Sequence, residues 1–385
     1  MVQRTYKLKE FAQDISVTIK DAQSSALDRF VGLEHYDSGE PVITRYTDTS
    51  LLSSSVKEFK ANDILIARRN VYLKRAGIAF FSGLTSGDSI VLRIYEDCES
   101  RTGIPKEDAV RIIPFVLNSN AFWSYANKHA DGMNSKRISK EMLYAYEFEL
   151  PPLVEQCLLA EKLWSAYRLK ESYKRLLAAT DEMVKSQFIE MFGDCQQLEN
   201  LSSLCDTFID GDWIESKDQS NEGIRLIQTG NVGNAFFKDK EDQCRFISNE
   251  TFDKLHCTEI FPGDILVARL PDPIGRSCII PDGLGRMITA VDCSIIRLKA
   301  SILPYFFVAY TMTSTYSGQI NEVTTGTTRR RVSRANLGNI KVPTPPTDQQ
   351  KLFVSIAEQA DKSKFELQKS IDAIDAVIKS LINNP

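Results

Sequence analysis

The chain has 385 residues, 43% of them hydrophobic and 25% charged, a composition typical of a soluble globular protein with two to three domains. No run approaches the about 18 apolar residues of a membrane span, and the first ten residues lack the apolar core of a signal peptide, so we expect a cytoplasmic protein. The net charge of −4 argues against a protein that coats nucleic acid indiscriminately, but it allows a site-specific binder with a locally basic surface.

The eight cysteines and three histidines are scattered along the chain without a pattern of metal ligands. There is no Cys-x-x-Cys pair, and His256-Cys257, the nearest approach to a ligand pair, consists of adjacent residues that rarely chelate one ion together. We therefore expect reduced structural cysteines and no metal site.

Residues 1–150 have the texture of a mixed α and β domain. The short β-branched runs Asp63–Arg68 and Ser89–Tyr95 are bounded by Gly, Asn and Asp and predict strands. A helical segment, placed at 151–194, follows. From Leu153 to about Met191 it has no glycine or proline, which predicts one long helix.

Residues 195–343 return to the strand-rich texture. Asp264–Arg269 is a close copy of Asp63–Arg68, at an offset of 201 (264 − 63). The proline-rich hinge Pro343-Thr-Pro-Pro346 then leads into a second helical segment, placed at 344–385.

Several motifs occur twice at a constant spacing. Gly132–Ser139 returns as Gly326–Ser333, and Pro151-Pro152 returns as Pro345-Pro346. The offset is 194 in both cases (326 − 132 and 345 − 151), so the two copies align without a gap. Two copies of one unit predict an approximate two-fold axis, which suits a target in two parts such as duplex DNA.

The second helical segment carries a heptad repeat. Its seam consists of Phe353, Ala360, Leu367, Ile374 and Leu381, interleaved with Ala357, Lys364, Ile371 and Ile378. The same positions minus 194 give a less regular copy in the first segment: Leu159, Leu163, Ala166, Lys170, Tyr173, Leu177, Thr180, Val184 and Gln187. Two such seams related by a dyad predict an antiparallel coiled coil, and about 38 residues give a rod of roughly 57 Å.

Lys170 and Lys364 occupy equivalent positions in these seams. Each lysine either selects the register or contacts a partner, or it packs its methylene stem in the seam and leaves its ammonium in water. We favour the second interpretation.

Common catalytic signatures are absent from the sequence. No Gly-Lys dipeptide occurs, which removes the P-loop, and neither His-Glu-x-x-His nor Gly-x-Ser-x-Gly is present. No Asn-Pro-Pro-aromatic run of the kind that amino-methyltransferases use occurs either. Together with the duplicated layout, these absences favour a recognition subunit over an enzyme.

Polar and basic loops are the candidate DNA contacts, because cations neutralise phosphates and Arg, Asn and Thr reach base edges. In the first copy they are Arg68, Arg69, Asn70, Tyr72, Lys74, Arg75, Asn134, Lys136 and Arg137. In the second copy they are Arg269, Arg276, Thr325, Gly326, Thr327, Thr328, Arg329, Arg330 and Arg331. The alternative to DNA contact, for each loop, is an exposed basic turn that binds nothing.

The layout resembles the specificity subunit of type I restriction-modification systems, the HsdS family. The resemblance rests on Leu150–Gln156 and its echo Thr344–Gln350 at the helix entrances, on the helix exit Ser186–Gly193, and on Thr325-Gly-Thr-Thr328 before the second proline pair. Asp63–Arg69 and Ser86-Gly-Asp88 are similar to elements of one subclass of target-recognition domain.

The resemblance implies an α+β fold with two similar mixed α/β target-recognition domains, separated by two long helices that pair as an antiparallel coiled coil with pseudo-two-fold symmetry. It implies that each domain reads one half of a bipartite asymmetric site in double-stranded DNA. It also implies that the helices set the spacing and dock two modification subunits, and that two restriction subunits can join. The chain itself would be non-catalytic and bind no cofactor, with S-adenosylmethionine, ATP and Mg on the partners.

Two other classes of function remain open. One is a coiled-coil adaptor that assembles other proteins without reading DNA, although it would leave the clustered arginines unexplained. The other is an enzyme that acts on DNA alone.

Overall fold

The computed structural model describes residues 4–15, 17–20, 25–49, 55–133, 135–240, 243–326 and 330–383. The chain divides into two compact units. Unit 1 comprises residues 1–174 and 368–385, and unit 2 comprises residues 175–367. Each unit combines a mixed α/β head with one part of each long helix.

The head of unit 1 is built from short strands and helices. Its strands are β1 (Arg4–Lys7), β2 (Ala12–Asp14), β3 (Thr18–Ile19), β4 (Arg29–Val31), β5 (Val42–Ile43), β6 (Thr47–Asp48), β7 (Val56–Phe59), β8 (Ile64–Ala67), β9 (Ala76–Ala79), β10 (Gly83–Ser86), β11 (Ser89–Ile94) and β12 (Glu147–Leu150). Its helices are α1 (Leu8–Phe11), α2 (Cys98–Thr102), α3 (Lys106–Val116), α4 (Asn120–Lys128) and α5 (Lys140–Tyr144), and the long helix α6 (Leu153–Phe192) follows.

These strands form two five-stranded sheets and one two-stranded ladder. The sheet orders are β3-β7-β10-β4-β6 and β2-β11-β8-β9-β5, and β1 pairs with β12. Strand β8 lies in the middle of its sheet, and all four of its residues are buried. Its apolar run has no alternation because both of its faces are covered.

Unit 2 repeats this plan. Its strands are β13 (Leu198–Asn200), β14 (Cys205–Asp210), β15 (Ile224–Ile227), β16 (Phe246–Ile247), β17 (Glu259–Ile260), β18 (Ile265–Ala268), β19 (Ser277–Ile279), β20 (Met287–Thr289), β21 (Cys293–Leu298) and β22 (Lys341–Pro343). Its helices are α7 (Asn249–Leu255), α8 (Pro304–Tyr310), α9 (Ser314–Val323) and α10 (Arg334–Gly338), and the long helix α11 (Thr347–Asn383) follows. The sheet orders are β14-β21-β18-β19 and β16-β15-β20-β17, and β13 pairs with β22.

A buried aspartate explains why the Asp-Ile-Leu-x-Ala motif occurs in both heads. Asp63 accepts a hydrogen bond from the Lys60 amide at 2.7 Å and forms a bidentate ion pair with Arg93 at 2.7 and 2.6 Å. In unit 2, Asp264 accepts a two-pronged pair from Arg297 at 2.8 and 2.9 Å. Each aspartate thus fixes the start of the central strand, since a buried carboxylate is tolerated only when it is fully paired.

A buried glutamine defines the entrance of each long helix. Gln156 Nε2 donates to the Pro151 carbonyl at 2.6 Å, and Gln350 Nε2 donates to the Pro345 carbonyl at 2.8 Å. The Gln156 side chain thereby folds back over the helix start and satisfies a carbonyl outside the helical ladder. The repeated proline–glutamine motif is therefore a structural device at both helix entrances.

Within each unit the segments of the two long helices run antiparallel. In unit 1, Lys170 pairs with Asp375, and Ile382 lies beside Leu163. In unit 2, Lys364 pairs with Asp181 at 2.9 Å, and the Phe353 ring meets the Phe188 ring with centroids 5.2 Å apart. The predicted seam positions are buried or half-buried on both helices, so the predicted fold class is confirmed.

The structure contradicts our favoured interpretation of the seam lysines. The Lys170 side chain is only 7% exposed, and its ammonium contacts Glu40 at 2.7 Å as well as Asp375. The Lys364 ammonium contacts Asp181 and Asp361. Burial of the Lys170 ammonium is possible because two carboxylates replace the water it loses, which the sequence periodicity could not reveal.

Candidate nucleic-acid interface

Each unit carries a short basic hairpin at the position given by the repeat. In unit 1, Asp131 and Arg137 exchange backbone hydrogen bonds of 2.9 and 2.8 Å. In unit 2, Thr325 and Arg331 exchange two bonds of 2.9 Å. The residue numbers of the two bridged pairs differ by the repeat offset of 194 (325 − 131 and 331 − 137), so the two hairpins occupy equivalent positions.

One glycine in each hairpin is required by the backbone. Gly132 has φ +117° and Gly326 has φ +97°, in the region that side chains rarely adopt. A Cβ on Gly132 would also lie 2.9 Å from the Ser135 carbonyl oxygen. This requirement explains why the glycine is common to both copies while the residues after it differ.

The hairpins dock on the end of the buried central strand. The Ile138 amide donates to the Arg68 carbonyl at 3.1 Å, and the Val332 amide donates to the Arg269 carbonyl at 3.2 Å. In unit 1 the Asn70 amide also donates to the Lys136 carbonyl at 2.7 Å. The two basic loops predicted in the first copy, 68–75 and 132–137, therefore form one surface.

Three arginines of this surface converge on a single carboxylate. The guanidinium nitrogens of Arg68, Arg69 and Arg137 lie 3.6, 3.3 and 3.8 Å from the Asp88 carboxylate oxygens. The Nε atoms of Arg68 and Arg69 are buried and have no hydrogen-bond partner. We call these four residues the Asp88 cluster. Its net charge is +2 (3 − 1), so it attracts a further anion.

Arg75 and Arg276 have a different role from the other predicted contacts. Arg75 donates to the carbonyls of Leu33 and Arg69, each at 3.0 Å. The Arg276 guanidinium donates to four carbonyls at 2.7 to 2.9 Å, those of Thr229, Val232, Pro271 and Pro273. Burial lowers the pKa of both guanidiniums below the ordinary value. These arginines hold the loops in shape.

The remaining predicted residues of unit 1 lie at the edge of the surface. Tyr72, Lys74 and Lys136 are exposed, and Tyr72 exposes 60% of its surface. Asn70 is half-buried in a left-handed conformation, and its Oδ1 has no hydrogen-bond partner. Asn134 lies outside the described residues.

Among the described residues, the basic surface of unit 2 is smaller than that of unit 1. Arg269 is 14% exposed, donates to the Val291 carbonyl, and lies 3.4 Å from the Asp210 carboxylate. Arg330 lies 3.9 Å from Asp272. The other described hairpin residues, Thr325, Gly326 and Arg331, are exposed, and Thr327, Thr328 and Arg329 fall outside the described part of the chain.

The sequence patterns do not reveal the charged groups that organise this surface. Asp88 belongs to the Ser86-Gly-Asp88 element, and nothing in that element indicates which arginines its carboxylate meets. Lys57 donates to the Ser89 carbonyl at 2.6 Å, and burial lowers the pKa of its ammonium. Beside it, Lys140 pairs with Asp14. These contacts join residues that are far apart in the sequence, so the spacing of neighbouring residues does not predict them.

The described ranges contain no metal-ion cluster and no membrane-spanning helix. No group of three or more His, Cys, Asp or Glu residues there could hold a metal ion. No helix in those ranges is long and apolar enough to cross a membrane. The eight cysteines all lie in described residues, and all are free.

Sequence and fold comparisons place these features in a family. Residues 197–374 match the family described as "Type I restriction modification DNA specificity domain". This part of the chain is similar to that family. The family predicted from the sequence is therefore confirmed. No curated protein matches the chain.

Two solved structures share the fold over nearly the whole chain. A chain from a structure on complex assembly and conformational transition of the type I R-M system is 15% identical, with a TM-score of 0.55, covering 99% of this chain and 96% of that one. The type I restriction-modification system S subunit from M. genitalium is 11% identical, with a TM-score of 0.51, covering 99% and 95%. At these identities the likeness concerns the fold.

Proposed function

We propose that this chain is the DNA-sequence recognition subunit of a type I restriction-modification complex, and that each head reads one half of a bipartite asymmetric site. One observation carries the proposal. The same hairpin docks on the same strand end in both units, while its side chains differ. The shared backbone would place both hairpins against DNA in the same way. Because their side chains differ, the two hairpins can recognise two different half-site sequences.

The charge distribution supports contact with double-stranded DNA. The protein carries a net charge of −4, yet its two hairpins and the adjoining loop concentrate arginine and lysine. A locally basic surface on an acidic protein binds phosphate at one face without coating nucleic acid. The arginines outside structural contacts, among them Arg69, Arg137 and Arg331, are the groups we assign to DNA.

The long helices carry two further parts of the proposal: they set the spacing between half-sites and dock two modification subunits. Large apolar side chains are exposed on helix α6 at three positions seven residues apart: Leu169, Leu176 and Met183. Helix α11 also exposes apolar residues, among them Phe365 at 68%. Exposed apolar rows of this kind are typical of protein-interaction surfaces.

In this proposal the chain guides chemistry performed by its partners in the cytoplasm. The modification subunits bring S-adenosylmethionine and methylate adenine, and two restriction subunits with ATP and Mg can join them. The chain itself binds none of these cofactors and catalyses nothing. Incubating the isolated chain with S-adenosylmethionine and duplex DNA should therefore give no methylated product.

The decisive experiment maps methylated adenines in a host that expresses this chain with its modification subunit. We expect one bipartite motif with a fixed spacer. Arg137→Gln should lower methylation of the motif through the first head, and Arg331→Gln should lower it through the second. A control variant, Arg101→Gln in helix α2, should leave methylation of the motif unchanged, because the exposed Arg101 side chain pairs with Asp97, four residues before it.

The same experiment tests the adaptor alternative. A coiled-coil adaptor would assemble with its partners but leave methylation independent of both hairpin variants. Methylation of DNA by the isolated chain would instead establish an enzyme. Either result would reject the recognition role.

A further inference from the structure

The Asp88 cluster has a charge arrangement that is incomplete in the free protein. Three guanidiniums share one carboxylate at 3.3 to 3.8 Å, and the Asp88 carboxylate makes no hydrogen bond to any of them within the described residues. Mutual repulsion among three cations is relieved by only one negative charge. The cluster is therefore built around more positive charge than Asp88 can neutralise.

Two donors of the cluster also lack a hydrogen-bond acceptor. The Nε atoms of Arg68 and Arg69, which lie 3.6 and 3.3 Å from the Asp88 carboxylate, are buried without a hydrogen-bond partner. A buried donor without an acceptor is unfavourable unless a ligand completes it. Two guanidinium donors that lack acceptors, beside an excess of positive charge, fit an oxyanion with several acceptor oxygens.

The backbone holds this arrangement in place. Arg69 and Arg137 are paired across a β-bridge, and Arg75 donates to the Arg69 carbonyl at 3.0 Å. The two outer guanidiniums are therefore presented together from neighbouring backbones. Arg69 and Arg137 are about 40% exposed, whereas the Arg68 side chain is 34% exposed. The two outer arginines are the ones a ligand reaches first.

We propose that the Asp88 cluster is a binding site for one DNA phosphate, and that Asp88 is a built-in competitor for that phosphate. On binding, the phosphate oxygens take Arg69 and Arg137 from Asp88, which keeps Arg68. This inference rests on the proposed function and adds a regulatory role for an acidic residue. Asp88 thereby weakens the binding of DNA that is not fully docked, because a phosphate must displace the Asp88 carboxylate before it can bind Arg69 and Arg137.

The second unit provides a contrast that supports the assignment. The position equivalent to Arg69 is Leu270 (69 + 201), and Arg269 has its own carboxylate, Asp210. The Asp292 carbonyl accepts the Arg269 amide at 2.8 Å, just as the Asp88 carbonyl accepts the Arg68 amide at 3.1 Å. The strand geometry is shared, but the triple-arginine cluster belongs to unit 1.

The test measures binding of the full chain to a labelled duplex of scrambled sequence over a range of salt concentrations. Asp88→Asn should tighten binding several-fold, because the phosphate no longer has to displace a carboxylate, and should leave the slope of log K against log salt close to the wild-type value. The control Asp97→Asn removes the same charge from an exposed ion pair on helix α2 of the same head. It should change neither the affinity nor the slope appreciably.

Two further variants keep the test independent of how Asp88→Asn folds. Arg69→Gln and Arg137→Gln should each weaken binding and make the salt slope shallower. Equal behaviour of Asp88→Asn and Asp97→Asn, or weaker binding by Asp88→Asn, would overturn the competitor role. Salt slopes unchanged in both arginine variants would overturn the phosphate site while leaving recognition by other loops intact. A wild-type chain that, with its modification subunit present, binds neither this duplex nor the methylated motif would overturn this site and the proposed function together.

Discussion

Lys170 and Lys364 each place an ammonium on an aspartate of the antiparallel helix segment in their own unit. Lys170 pairs with Asp375, and Lys364 pairs with Asp181. Both members of the pair shift by the repeat offset (364 − 170 = 194 and 375 − 181 = 194). The duplication has therefore preserved an interhelical contact, including its direction, and not merely a hydrophobic pattern. A charged pair within an apolar seam is satisfied in one register only, so it specifies how the segments align.

The two pairs should differ in their contribution to stability. Lys170→Met removes the buried cation that Glu40 and Asp375 share, and because Glu40 keeps Lys174, the cost should lie near the lower end of the ~3–5 kcal/mol for a broken buried pair. Lys364→Met breaks a half-exposed pair, for which solvent screening reduces the cost to about 1 kcal/mol or less. Chemical denaturation monitored by circular dichroism would compare the two variants. A larger loss for Lys364→Met would contradict the burial-based ranking.

The pH dependence of stability should show the contribution of Glu40. Burial raises the pKa of this carboxyl, but hydrogen bonds from Lys170 and Lys174 outweigh it, so the pKa in the folded protein lies below the ordinary value. A carboxyl with a depressed folded pKa stabilises the protein above its unfolded pKa, and this stabilisation is lost as the pH falls through the folded pKa. The wild-type protein should therefore lose more stability on acidification below about pH 4.5 than Glu40→Gln does. Parallel curves for the two proteins would show that Glu40 does not titrate differently on folding.

Arg276 should not tolerate replacement by lysine. Its planar guanidinium serves four carbonyls at once, and an ammonium cannot reproduce that fork. Arg276→Lys should lower the stability of unit 2 by ~1–3 kcal/mol, because the partly buried hydrogen bonds to the Thr229 and Val232 carbonyls lose their donor. Thermal unfolding checks this, with Arg286→Lys, an exposed arginine paired with Glu259, as the control. Equal melting temperatures for the two variants would refute the structural role of Arg276.

The unit 2 hairpin should contribute to site binding through its arginines. Arg330→Ala, or Arg329→Ala, is expected to weaken binding to the methylated motif by ~1–3 kcal/mol if the side chain meets a base, and to make the salt slope shallower if it meets phosphate. Titration of the motif duplex at several salt concentrations separates these outcomes. Unchanged binding and methylation in both variants would remove this hairpin from the interface.

Shortening both long helices should shorten the spacer of the recognition site. Deleting one heptad, about two turns, from each helix removes about 10 Å of rod, which corresponds to roughly three base pairs. The spacing between half-sites in methylated DNA is the readout. A motif with its original spacing in a folded deletion variant would mean that the helices do not set it.

The sequence predicted those parts of the molecule that depend on periodic or repeated residues. The helix pairing followed from heptads such as Phe353 to Leu381, and the equivalent hairpins followed from an offset shared by Gly132 and Gly326. The same offset did not predict that Asp88 would collect three arginines, or that Glu40 would reach Lys170. Those contacts join residues 49 and 130 positions apart (137 − 88 and 170 − 40), and tertiary folding alone brings such residues together.

The ladders β1–β12 and β13–β22 bring the two ends of each head side by side. Arg4 lies opposite Leu150 in the first ladder, and Leu198 lies opposite Pro343 in the second. Because the first and last strands of each head pair with each other, a head can be exchanged as one unit without altering the helices. A different head that ends in the same two-stranded ladder could take its place. A single exchange of this kind could give the protein a new DNA preference.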